Sequence, residues 1–131
     1  MASVIYPKAK EAFLKADIDL ENDTIRAVLI DTGTYTYNAA HNAYDDLSGV
    51  VGSESAAFTS KTLTDGTFDA ADITFTAVTG NTVEAIVIFK DTGTASTDLL
   101  IAYIDSGTGL PVTPNGGDIT VSWNASGIFS L

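Results

Sequence analysis

From Leu20 onward the chain is a series of short runs rich in Thr, Val and Ile, each cut off by Gly, Asn or Asp. That punctuation leaves little room for helices and points to strands joined by tight turns. Ile25–Ile30 reads as a strand. Thr62-Leu63-Thr64 and Thr67-Phe68 flank Asp65-Gly66, a pair that suits a two-residue hairpin because both central residues take φ > 0. Ile73–Ala77 and Ile119–Trp123 alternate apolar and polar residues, as half-buried strands do. Gly80-Asn81 turns the chain into Val83–Phe89, Leu99–Ile104 follows, and Asn124–Gly127 leads into Ile128-Phe129. The fold class is mainly β, an antiparallel sandwich or barrel of about seven or eight short strands.

The first residues differ. Pro7 stands where a helix can begin without needing an N–H. Tyr6, Ala9, Phe13 and Ala16 fall on one apolar stripe, with Lys8, Lys10 and Lys15 mainly off it. We therefore expect an N-terminal helix within residues 1–17, packed on a sandwich spanning 23–131. At 131 residues the chain is a single domain. Asp17, Asp19, Glu21 and Asp23 form an acidic connector between the two parts.

Strands 25–30, 85–89 and 99–104 are apolar on nearly every residue. In an antiparallel sheet this requires cover on both faces. Either the helix and the long loop supply it, or a neighbouring subunit does. That loop, residues 33–55, has no clear strand pattern and holds Tyr35, Tyr37, His41 and Tyr44. Connections of this length are uncommon in compact domains. Its tyrosines suit a protein interface or fold back onto the domain's own core.

Charge and composition exclude much chemistry. The net charge is −11, with +2 on residues 1–15 and −13 on the rest. An acidic surface does not neutralise phosphates, so nucleic acid is not an expected partner. No apolar run approaches the ~18 residues of a membrane span, and none is expected. The absence of cysteine removes disulfides, thiolate metal sites and cysteine nucleophiles. A single histidine, His41, removes two-histidine mechanisms within one subunit. No nucleophile elbow, phosphate loop or zinc-protease helix is present. We expect no catalytic residues, no cofactor and no metal.

Asp31-Thr32-Gly33-Thr34, Asp91-Thr92-Gly93-Thr94 and Asp105-Ser106-Gly107-Thr108 each follow an apolar run. These read as strand exits in which Asp bonds the following backbone and Gly accepts φ > 0. Calcium ligation is the alternative use of such Asp residues.

The sequence resembles small virion structural proteins of tailed bacteriophages. The resemblance lies in Tyr6–Phe13, Ile18–Leu29, Val83–Ala95, Leu100–Asp105 and Leu110–Ile119, nearly the whole chain, and is weakest over 33–60. It implies a head decoration or cement protein on the capsid surface of the virion, made in the bacterial host cytoplasm. The implied partners are the major capsid protein and the chain itself, as a homotrimer. Under that reading the expected contacts are Tyr35, Tyr37 and Tyr44, then Lys8, Lys10 and Lys15. The alternatives are a ring component of the neck or tail, and a carbohydrate-binding module with Trp123 as its platform. Alternation with Ile119 and Val121 puts Trp123 in the core instead.

Overall fold

The computed structural model describes residues 4–105, 110–123 and 126–131. Its elements are β1 (Val4–Ile5), α1 (Pro7–Leu14), β2 (Ile25–Ile30), β3 (Val50–Val51), β4 (Thr62–Thr64), β5 (Thr67–Asp69), β6 (Ile73–Phe75), β7 (Ala85–Lys90), β8 (Leu99–Ile104), β9 (Ile119–Val121) and β10 (Phe129–Ser130). A 3-10 turn, η1, spans Tyr44–Asp46. The architecture is mainly antiparallel β and sandwich-like, with one N-terminal helix, as the sequence indicates. Ten strands form among the described residues. The two beyond expectation, β1 and β3, are two-residue pieces too short to leave a periodic signal.

The main sheet has the order β1-β8-β7-β2-β3. Smaller sheets β10-β5-β4 and β6-β9 contribute to the same core cluster. Asp65 and Gly66 both take positive φ, 51° and 79°, so the hairpin joining β4 to β5 has the expected turn.

Strand register shows how the apolar strands are covered. Val28, Val87 and Tyr103 are opposite one another, and so are Ala27, Ile88 and Ala102. Because side chains alternate along a strand, these two sets lie on opposite faces. Tyr35 and Tyr37 pack on Tyr103, with ring centroids 6.2 and 5.3 Å away. Tyr44 packs on Phe89 at 4.9 Å. On the other face, α1 lies against β8, and Phe13 shares a groove with Ala102 and Ile104. The chain covers both faces of its own central strands, so no neighbouring subunit is needed for that burial.

Residues beyond β3 continue along the edge of β2. The Ser55 and Phe58 amides donate to the carbonyls of Ala27 and Ile25, both at 2.8 Å. One sheet edge is thereby occupied, and β1 forms the other.

The helix is shorter than its composition suggests. Ala16 adopts φ 61°, its amide donates to Phe13 O, and the Asp17 amide donates to Ala12 O. This is the Schellman geometry that closes helices, with alanine at the position glycine usually fills. Ala16 is exposed and leaves the apolar stripe, while Ala12 is buried with Tyr6 and Ala9.

Candidate partner-binding surface

The tyrosine segment is held by a chain of polar contacts. Tyr6, just before α1, is fully buried, and its hydroxyl lies 2.9 Å from that of Tyr35. The Tyr35 hydroxyl is also 2.8 Å from His41 Nδ1. Burial, then the Tyr35 hydrogen bond, pushes the Tyr6 hydroxyl far above the usual tyrosine range. Burial likewise raises Tyr35, Tyr37, Tyr44 and Tyr103. Asp46 turns the chain at η1 by accepting from the Asn42 and Ala43 amides, and these bonds hold its carboxyl below the usual range.

Tyr35 is only 2% exposed, which corrects its expected role as a partner contact. Its ring and hydroxyl are committed to the core. Tyr37 and Tyr44 are half-buried and keep one side toward solvent. A large amphipathic ring reads the same in sequence whether it packs inward or outward. The partner that draws Tyr35 inward, Tyr6, lies 29 residues away.

Lys8 and Lys10 are exposed on α1, and Lys15 is exposed at its C-cap. Lys8 and Lys15 both donate to Glu11, at 3.4 and 2.9 Å. These bonds, Lys15 first, hold the Glu11 carboxyl below its usual range. Lys10 has no ion pair among the described residues, and it lines an open groove of about 770 Å³. The rest of that groove is mostly apolar and includes Phe13, Leu14, Ile104, Ile128, Phe129 and Leu131. Leu14 is 90% exposed and Leu131 65%. Sequence reasoning missed this groove because it joins residues from opposite ends of the chain. The signal for it was Leu14, an apolar residue beside the helix stripe rather than on it.

The other singled-out groups are built into the frame. Asp31 and Asp91 accept from the amides of Gly33 and Gly93, both at 2.9 Å, as strand exits should. Gly93 takes φ 91°, whereas Gly33 does not need a left-handed conformation. Ser106 to Thr108 of the third copy lie outside the described residues, as do Asn124 and Ala125. Asp91 also binds Arg26 Nε at 2.7 Å, and Arg26 reaches Ser55 O at 3.0 Å. The acidic connector is fastened by Lys90, which donates to Asp17 O at 2.7 Å and lies 3.1 Å from Asp23 Oδ2. Trp123 is half-buried, packs on Phe58 at 5.6 Å and donates its ring N–H to Ala71 O at 3.2 Å.

Among the described residues no group of three or more His, Asp or Glu side chains converges to hold a metal ion, and no helix is long and apolar enough to cross a membrane. No protein-family model matches the chain, and none of the curated proteins compared with it is similar.

Proposed function

We propose that this chain is a non-enzymatic virion structural protein that binds the outer surface of a phage capsid and clamps neighbouring capsomers. The resemblance over nearly the whole sequence supports the class. The observation that carries the reading is a division of labour among the polar groups. Tyr6, Tyr35, His41, Asp31, Asp91 and Arg26 are engaged in holding the fold. What remains for a partner is surface: an acidic body, the half-exposed sides of Tyr37 and Tyr44, and the basic apolar face of α1.

A clamp of this kind stabilises a shell by mass action, because it binds the assembled lattice and not its separated parts. An acidic body favours basic patches on the shell and is repelled by packaged DNA. The test is occupancy. Purified protein should co-sediment with capsids of the source phage stripped of this chain, and should saturate them in a fixed ratio to the capsid protein. Binding at a single vertex would move it to a neck or tail ring. Failure to bind any part of the particle would end the reading.

A further inference from the structure

We propose that Asn115-Gly116 is a site of spontaneous deamidation that the fold holds shut, and that reaction there opens the turn irreversibly. The sequence contains a single Asn-Gly pair, and it lies in the turn before β9. In such a pair the Gly backbone nitrogen attacks the Asn side-chain carbonyl carbon. The N–Cγ bond forms, the Cγ–Nδ2 bond breaks, and the departing amide takes the backbone proton to leave as ammonia. Water then opens the cyclic imide at either carbonyl, giving aspartate or isoaspartate. The reaction needs no oxidant, metal or enzyme. Glycine favours it because no Cβ shields the attacking nitrogen.

The turn is built from the same pair that makes it reactive. Gly116 takes φ 87°, in the left-handed region that favours glycine. Asn115 Oδ1 accepts from the Gly117 amide at 2.9 Å and so closes the turn. Asn115, Gly116 and Gly117 are all exposed, so water reaches them. Yet both reacting groups are tied. The Gly116 amide donates to Val78 O at 2.7 Å, and the Val78 amide donates to Gly117 O at 3.0 Å. Val78 is buried, and the Ala77 amide before it donates to Asp118 Oδ1 at 3.0 Å. The attacking nitrogen keeps its proton and its orientation until the turn lifts off Val78. Reaction therefore waits on local opening, whose free energy sets the rate. Isoaspartate routes the main chain through Cγ and lengthens it by a carbon. Gly116 and Gly117 then no longer both meet Val78, and the turn cannot close again.

This goes beyond the capsid reading and does not depend on it, since only the chain and water take part. Full-length chain should be kept at about pH 9, below the range where Tyr6 weakens the fold, both native and in guanidinium chloride. Mass spectrometry of the peptide carrying Asn115 should show the reaction slower in the native chain by about tenfold or more. Asp118→Ala, which frees the Ala77 amide, should speed the native reaction by about threefold or more and leave the unfolded rate unchanged. Isolated isoaspartyl chain should exchange the Val78 amide hydrogen faster than unreacted chain. Asn115→Asp keeps the normal backbone and an oxygen for the Gly117 amide, so it should exchange like wild type. Equal rates in native and unfolded chain, or a native Asp118→Ala rate no faster than wild type, would overturn the latch. Val78 exchange that isoaspartate leaves unchanged would overturn the irreversible opening.

Discussion

The phenolic oxygen of Tyr6 lies 2.9 Å from that of Tyr35, and this contact ties the start of α1 to the segment that carries three of the five tyrosines. Both rings are buried. Removing one hydroxyl leaves the other with fewer partners inside the core, at a cost of about 1–3 kcal/mol. Tyr35→Phe should therefore lower the free energy of urea unfolding by that amount, with m unchanged. The double variant Tyr6→Phe/Tyr35→Phe should recover part of the loss, because neither hydroxyl is then stranded. A double variant less stable than the sum of the two singles would contradict this.

The same burial makes stability sensitive to alkali. The Tyr6 hydroxyl ionises far above the ordinary value near 10 in the folded chain, so it stays neutral where the unfolded chain ionises. Below about pH 10 both states are neutral and Tyr6 adds no pH dependence. Above it the unfolded state releases a proton that the folded state keeps, and stability falls by about 1.4 kcal/mol per pH unit from Tyr6 alone. Unfolding titrations across this range should show the decline, with a shallower slope for Tyr6→Phe. Stability that holds steady to about pH 11 would refute the assignment.

Ala16 closes α1 at φ 61°, a conformation that costs an alanine about 1–2 kcal/mol. Glycine there relieves the strain but adds freedom to the unfolded chain. Ala16→Gly should be net stabilising by about 0.5–1 kcal/mol in thermal or urea unfolding. A loss of stability would mean that the left-handed cap is absent.

Gly49 sits within the tyrosine segment at φ 65°, and a Cβ there would lie 2.7 Å from Asp31 O. The Asp31 amide also donates to Gly49 O at 2.8 Å, so the two backbones cannot move apart freely. Gly49→Ala should destabilise by more than about 1 kcal/mol and increase hydrogen exchange of the Asp31 amide. Neutral behaviour would place this crossing elsewhere.

Much of the frame was legible from local signals. The Asp65-Gly66 turn, the alternation in β6 and β9, and the three apolar central strands each carry their structure in a few adjacent residues. The limits of α1 were less clear, because alanine is a good helix former and yet Ala16 ends the helix. Strands β1 and β3 exist only as partners of β8 and β2, which no two-residue sequence announces. The candidate surface was half visible. The basic face of α1 stood out in the charge count. The inward turn of Tyr35 depends on Tyr6, and the groove depends on residues from both ends of the chain meeting beside β8. Such long-range meetings have no local signature.

Copy number per virion tests the central claim most directly. The chain should be quantified against the major capsid protein in purified particles of the source phage. A clamp spread over the shell requires a ratio between about one to three and one to one, as lattice symmetry dictates. About six to a dozen copies would instead mark a single ring at the neck or tail, and would contradict the capsid-clamp account.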